Sequence, residues 1–224
     1  MLNTLLLGWS SAAPASALVT ISSDTTIDTT INDNIHVVGT AHVTIVAGAS
    51  IGGNLFAFNS STVTVTGGSI SGALRAFDTS TVTVSGGSIL ALVAADSGTV
   101  NITGGSIGQV VSRLSSTINI FGGSISDRIQ AQNSSTIHLF GCNLLPSNPM
   151  LGPYGLTSYS LTGTLQDGTV LNRLVESYAG GSFQLHETPC RLQWSGVLPP
   201  INADGSSVFK LEDGVLHPVI VSLR

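Results

Sequence analysis

A four-residue block recurs along this chain at nearly constant spacing, and that periodicity restricts the fold more than any other feature. Gly-Gly-Ser-Ile stands at 67–70, 86–89, 104–107 and 122–125. Variants flank it: Gly-Ala-Ser-Ile at 48–51 and Gly-Cys-Asn-Leu at 141–144. The six starts, at positions 48, 67, 86, 104, 122 and 141, are evenly spaced to within a single residue. A fixed period of this size is the mark of a repeat architecture. It is too short for a helix pair or a propeller blade, so each unit must be one coil of a stack.

Two further blocks fill each unit. Before the glycines run Thr62-Val63-Thr64-Val65, Thr81-Val82-Thr83-Val84, Thr99-Val100-Asn101-Ile102, Thr117-Ile118-Asn119-Ile120 and Thr136-Ile137-His138-Leu139. Strict polar/apolar alternation puts one side chain of each pair inside and the next outside. After the glycines, Leu55, Leu74, Leu92, Val110 and Ile129 align, and two positions on so do Ala57, Ala76, Ala94, Ser112 and Ala131. Between them lies an exterior row of Phe56, Arg75, Val93, Val111 and Gln130. A corner column holds Asn59, Asp78, Asp96, Leu114 and Asn133, mostly residues that tolerate tight-turn backbone. The pattern predicts an all-β fold: a single-stranded parallel β-solenoid of 18–19-residue coils, stacked about 4.8 Å apart. The usual crossover preference makes it right-handed. An antiparallel meander would need reversed residue order on alternate strands, whereas every strand here meets the same turn. Upstream, residues 25–46 keep the alternation but blur the spacing, as terminal repeats do.

Charge narrows the functional classes. Only 8% of residues are charged, against roughly 25% in ordinary soluble domains, and net charge is −5. Lys210 is the one lysine. Binding nucleic acid through phosphate neutralisation needs clustered cations, which this chain lacks. No apolar run approaches the roughly 20 residues of a transmembrane helix. At the N-terminus, a short apolar stretch precedes Ala15-Ser16-Ala17, the A-x-A pattern of a secretory signal, without the usual basic residues ahead of it. Export to the extracellular space or cell surface is the expected localisation.

After Leu145 the repeat stops. Pro146, Pro149 and Pro153 mark a loop. Residues 159–170 alternate around Asp167-Gly168 as a hairpin does, and 182–186 form another short strand. These segments are expected to cap the open end of the solenoid. The chain thus divides into a signal segment 1–17, a solenoid 18–145, a capping hairpin region 146–190 and a truncated β module or tail 191–224. Cys142 takes the place of a repeat glycine, and Cys190 follows the capping strands. In an exported chain a Cys142–Cys190 disulfide would pin cap to coil; two free buried thiols are the alternative.

The Thr-Val-Thr-Val…Gly-Gly-Ser-Ile pattern resembles that of bacterial right-handed parallel β-helix proteins, both pectin-lyase-like enzymes and adhesin passenger domains. The resemblance covers about residues 24–145 and brings no catalytic motif with it. From Gln193 the chain is similar to the start of the PxKF domain of secreted bacterial proteins, through Trp194-Ser195-Gly196, Pro199-Pro200, Ile201-Asn202, 205–210 and Pro218-Val219. Ile220 and Val221 replace the Lys and Phe of that signature.

Candidate site residues follow from the rows. Phe56, Phe58 and Phe77 cluster on adjacent coils beside Arg75, a patch suited to glycan or partner contact; packing beneath a loop is the alternative. Asp78 and Asp96 align on neighbouring coils and are candidates for holding Ca²⁺, the competing reading being a ladder of turn residues. Asp127-Arg128 is the densest charge pair. The histidines show no metal-ligand spacing, and His138 falls in an exterior, solvated column. No catalytic residue is assigned. The expected function is a non-catalytic structural or interaction protein, binding polysaccharide or cell-surface components. A polysaccharide lyase or glycoside hydrolase on the same scaffold, and an inert spacer within a longer surface protein, are the alternatives.

Overall fold

A computed structural model describes residues 18–147, 150–151 and 156–188, with the backbone of 209–212 and 215–218. The expected signal segment, Cys190 and most of the PxKF-like stretch lie outside the described residues. The 18–188 portion is a β-solenoid of stacked parallel coils, without helices among the described residues.

Three faces make up each coil. The Thr-Val-Thr-Val blocks form the first. Its rungs pair in parallel from Thr25–Ile27 and His42–Ile45 through Thr62–Val65 and Thr81–Val84 to 99–102, 117–120 and 136–139. The Ser-Ile pair after the glycines forms a second, short face, Ser50 on Ser69 on Ser88 on Ser106 on Ser124. Sequence alternation reveals no such face, because a pair of residues is too short to alternate. The third face stacks Asn34–Val37 and Leu55–Ala57 under 74–76, 92–94 and 110–112.

The interior is a set of apolar columns. Val63, Val82, Val100, Ile118 and Ile137 are fully buried, as are Leu55, Leu74, Leu92, Val110 and Ile129. Burying an aliphatic side chain of this size contributes about 1.5–3 kcal/mol. Identical neighbours one coil apart make each rung the packing template for the next.

Two kinds of corner close the coil. The second glycine of each Gly-Gly-Ser-Ile block has positive φ, from 76° at Gly68 to 90° at Gly123. A Cβ on Gly87 would sit 2.8 Å from the carbonyl oxygens of both Gly67 and Gly68, so glycine is required by conformation and by space. The other corner carries Gly39, Asn59, Asp78, Asp96, Leu114 and Asn133, all left-handed, with φ between 53° and 72°. Beneath this corner the buried Ser61, Ser80 and Ser135 donate their hydroxyls to carbonyls of the coil below, Val37, Ala57 and Ser112. A buried hydroxyl without a partner would cost about 1–3 kcal/mol; here each one ties two coils together.

Cys142, standing where a second glycine belongs, changes the path. The positive φ moves to Asn143 (52°), a residue that tolerates it, and the chain leaves the stack. Thr157–Leu165 returns antiparallel to Thr136–Pro146, and Val170–Tyr178 folds back antiparallel to that strand. This is the expected hairpin, and its Leu161, Leu165 and Leu171 join the core. Segment 146–190 does more than cap. Residues 175–178 pair in parallel with Ile129–Gln132, and Ser182–Glu187 pairs in parallel with 136–141. Ala179 (φ 50°) takes the left-handed corner between them. The chain therefore re-enters the solenoid and lays down one more coil after the hairpin. Residues 209–212 and 215–218 form a separate two-stranded antiparallel ribbon.

Candidate functional site

The outer row of the third face runs His36, Phe56, Arg75, Val93 and Val111 in register. Leu55 and Ala57 point inward, so pleating turns Phe56 and Phe58 outward together. Phe77 stands one coil above Phe58: its N–H donates to Ala57 O, as the N–H of Phe58 donates to Val37 O, both at 2.9 Å. The three rings lie nearly parallel. Phe58 and Phe77 have centroids 5.2 Å apart at 11°, and Phe56 lies 6.1 Å from Phe58 at 13°. Arg75 Cζ sits 5.2 Å from the Phe56 centroid, a cation–π contact. All four side chains are half-buried. The result is a preformed aromatic wall spanning adjacent coils.

His36 belongs to this wall, although its sequence position gave no sign of it. Its ring meets Phe56 edge-on at 4.9 Å and Phe58 at 5.1 Å. The register that aligns them, His36 on Phe56, lies in the stretch where the sequence period blurs.

Asp78 and Asp96 occupy the left-handed corner next to the wall. Asp78 Oδ2 accepts the N–H of Asn59 at 2.7 Å, and Asn59 Oδ1 accepts the N–H of Gly39 at 3.0 Å. The corner side chains thus cap the backbone of the coil below. Other carboxylates do similar work. Asp24 accepts from His42 N, Asp167 from Gly123 N and Thr169 N, and Glu187 from Asn143 N and Leu144 N. Arg128, half of the Asp127-Arg128 pair, reaches Glu176 on the next coil at 3.9 Å. No group of three or more His, Cys, Asp or Glu is gathered for a metal ion among the described residues. Cys142 is disulfide-bonded.

A second aromatic row climbs the first face near the C-terminal end. Phe121 stacks on Phe140 at 4.3 Å, and Phe140 on His186 at 4.4 Å. The turn of the hairpin stands beside it, leaving an open cavity of about 460 Å³ lined by Thr103, Phe121, Gln166 and Asp167. His138 is half-buried rather than solvated. Its Nδ1 lies 2.9 Å from Nε2 of His186. Burial and the neighbouring imidazole together hold its pKa below the ordinary histidine value. Sequence spacing conceals this pair, because His186 belongs to the coil laid down after the hairpin.

No family model matches the chain, nor does any curated protein or solved structure. Fold and local geometry alone define it as a parallel β-solenoid repeat protein.

Proposed function

We propose that this chain is an exported, non-catalytic interaction protein of the bacterial surface or extracellular matrix, whose aromatic wall contacts polysaccharide. The observation carrying the proposal is the wall itself: Phe56, Phe58 and Phe77 held near-parallel and half-exposed, with His36 at one side and Arg75 over one ring. Apolar patches that a fold keeps preformed on its surface are commonly contact sites. Aromatic side chains supply large contact area with little ordering cost. The C–H faces of sugar rings are complementary to such a patch, and Arg75 favours an acidic glycan.

Two features support the remaining parts. The Ala15-Ser16-Ala17 pattern and the disulfide-bonded state of Cys142 suit an oxidising, extracytoplasmic setting. A glycosidase or lyase would need carboxylates free and paired, whereas the Asp78 carboxylate accepts the backbone N–H of Asn59.

The test is co-sedimentation of the full chain with insoluble neutral and acidic polysaccharides, with released sugar ends assayed in the same tubes. Binding without release is expected, weakened about tenfold or more in Phe58→Ala and Phe77→Ala, the size of effect seen at aromatic contact residues. Release of ends would overturn the non-catalytic reading. Binding unchanged in both variants would remove the wall from the interaction.

A further inference from the structure

An aromatic stack on the first face ends in open space. Phe121, Phe140 and His186 stand one above another on successive coils, with centroids 4.3 and 4.4 Å apart and neighbouring rings at 14° and 11°. One face of the Phe121 ring is therefore covered by Phe140. The opposite face meets no other ring among the described residues. It borders the open cavity of about 460 Å³ whose other walls are Thr103, Gln166 and Asp167. The register slips at this level: Ile102 pairs with Ile120, but Thr103 pairs with Gly122, so Phe121 is the additional residue of a bulge. Bulges re-aim side chains. Thr103, on the coil beneath, is too small to continue the stack, and its hydroxyl donates to Val84 O at 3.3 Å.

The polar wall of the cavity is held in place by the fold. Gln166 N–H donates to Phe140 O at 3.0 Å and Asp167 N–H to Phe121 O at 3.1 Å, which fixes the hairpin turn against the stack. The Asp167 carboxylate accepts Gly123 N–H and the Thr169 hydroxyl at Oδ2, and Thr169 N–H at Oδ1. A carboxylate offers about four lone-pair sites, so Oδ1 keeps an acceptor position. The Gln166 side chain is exposed and bonds no described residue.

A preformed cavity of this size, with an aromatic floor and a few fixed polar groups, matches the general form of small-molecule sites. The bare ring face calls for a flat apolar surface lying parallel to it. The free amide and the remaining carboxylate lone pair call for hydrogen-bond donors around the edge of that surface. A planar aromatic ring meets the first demand alone. A pyranose ring meets both, through its C–H face and its hydroxyls. Charge then selects among sugars: the lining holds one carboxylate and no cation, so an anionic sugar is repelled. We infer that this cavity binds one uncharged pyranose ring of a glycan, laid on the free face of Phe121 with its hydroxyls on Gln166 and Asp167. The site does not depend on the aromatic wall, which lies on the third face and, through Arg75, favours acidic glycans.

Isothermal titration calorimetry tests the inference, on the full chain carrying Phe58→Ala and Phe77→Ala so that the wall adds no binding of its own. The probes are uncharged tetrasaccharides of glucose, mannose, galactose and N-acetylglucosamine, with tetragalacturonate as the anionic comparison. At least one uncharged probe is expected to bind one-to-one, and more tightly than tetragalacturonate. Thr103→Phe, added to that chain, continues the stack into the cavity as Phe121 continues it from Phe140. It should weaken binding at least about tenfold, the effect of losing a central contact. Gln166→Ala, at an exposed side chain with no bond to the fold, should weaken it about two- to tenfold. No binding by any uncharged probe would overturn the inference. So would tighter binding of tetragalacturonate, or affinity unchanged in Thr103→Phe. Circular dichroism checks the fold of each variant, and if Thr103→Phe disturbs it, unchanged affinity in Gln166→Ala overturns the site by itself. The wall is tested by its own variants in an otherwise native chain, so either proposal can fail alone.

Discussion

The middle coils and the final coil share one cross-section but are held differently. From Thr62 to Gln132, every coil repeats its neighbour: the same aliphatic columns, the same Gly-Gly corner and the same left-handed corner. In a solenoid each repeat is stabilised mainly by its two neighbours, so a middle coil has two identical partners. The final coil, 175–187, has one coil beneath it and the hairpin beside it. Its inward residues Phe183 and Leu185 are only partly buried. Contacts found nowhere else make up the difference: Arg128 and Gln130 on Glu176, Tyr159 edge-on to Phe183, His138 against His186, Arg173 donating to Ile125 O, and the disulfide at Cys142. Repetition stabilises the middle, and individual side chains stabilise the end.

The largest expected effect tests the middle. Leu92 is fully buried with Leu74 below it and Val110 above. Leu92→Ala removes one block from a continuous column and should destabilise the chain by about 2–5 kcal/mol, transfer and cavity terms together. Leu185→Ala, at the partly buried last rung, should cost about half as much. Chemical denaturation gives both values. Native-state hydrogen exchange should show the final coil opening at lower free energy than the middle. Equal costs, or equal protection, would mean that the end-specific contacts make the last coil as secure as the others.

A smaller effect sits inside the regular stack. The left-handed corner holds Asn59, Asp78, Asp96 and Asn133, but Leu114 at one level, with φ 60° and 46% of its surface exposed. A left-handed conformation costs an ordinary L-residue about 1–2 kcal/mol, and asparagine less. Asparagine also brings an oxygen able to cap the N–H one coil below, as Asn59 and Asp78 do. Leu114→Asn should therefore stabilise the chain by about 1 kcal/mol, and Asn59→Leu should destabilise it by a similar amount. Denaturant midpoints of the pair decide the point; no gain from Leu114→Asn would mean that the leucine makes compensating contacts.

Much of the middle was legible because period and alternation report the same fact twice. Each coil writes its inside and outside in alternating residues, and the next coil repeats the text one period later. The aromatic wall was half legible for the same reason: Phe56, Phe58 and Phe77 fall on regular coils, while His36 falls where the period slips. The second face escaped because Ser-Ile is too short to show a pattern. The last coil escaped because the hairpin interrupts the period: the rung on Thr117 begins at Thr136, one repeat later, but the rung on Thr136 begins only at Ser182. Its own text, Ser182-Phe183-Gln184-Leu185, still alternates as Thr-Val-Thr-Val does. A search allowing one large insertion would have aligned it, and with it the histidine pair. The carboxylates were harder still, since an Asp that caps a backbone N–H and an Asp that holds a cation look identical in sequence.

The smallest effect belongs to the final coil and depends on pH. Burial and the adjacent His186 hold His138 below the ordinary value of 6.5 in the folded chain, while in the unfolded chain it returns to that value. Above pH 6.5 the ring is neutral in both states and contributes nothing to the pH dependence. As pH falls below 6.5, the unfolded chain takes up the proton first, and stability is lost. The loss levels off once pH passes the folded value. His138→Gln removes this term, so the wild-type chain should lose more melting temperature than the variant between about pH 7.5 and 5.5, above the ordinary carboxylate range. Exchange protection in 182–187 should fall over the same window while protection in 81–84 holds. Parallel melting curves for wild type and variant would show that the imidazole contact adds nothing to the end of the stack, leaving the last coil to the Glu176 contacts, the Tyr159–Phe183 edge and the disulfide.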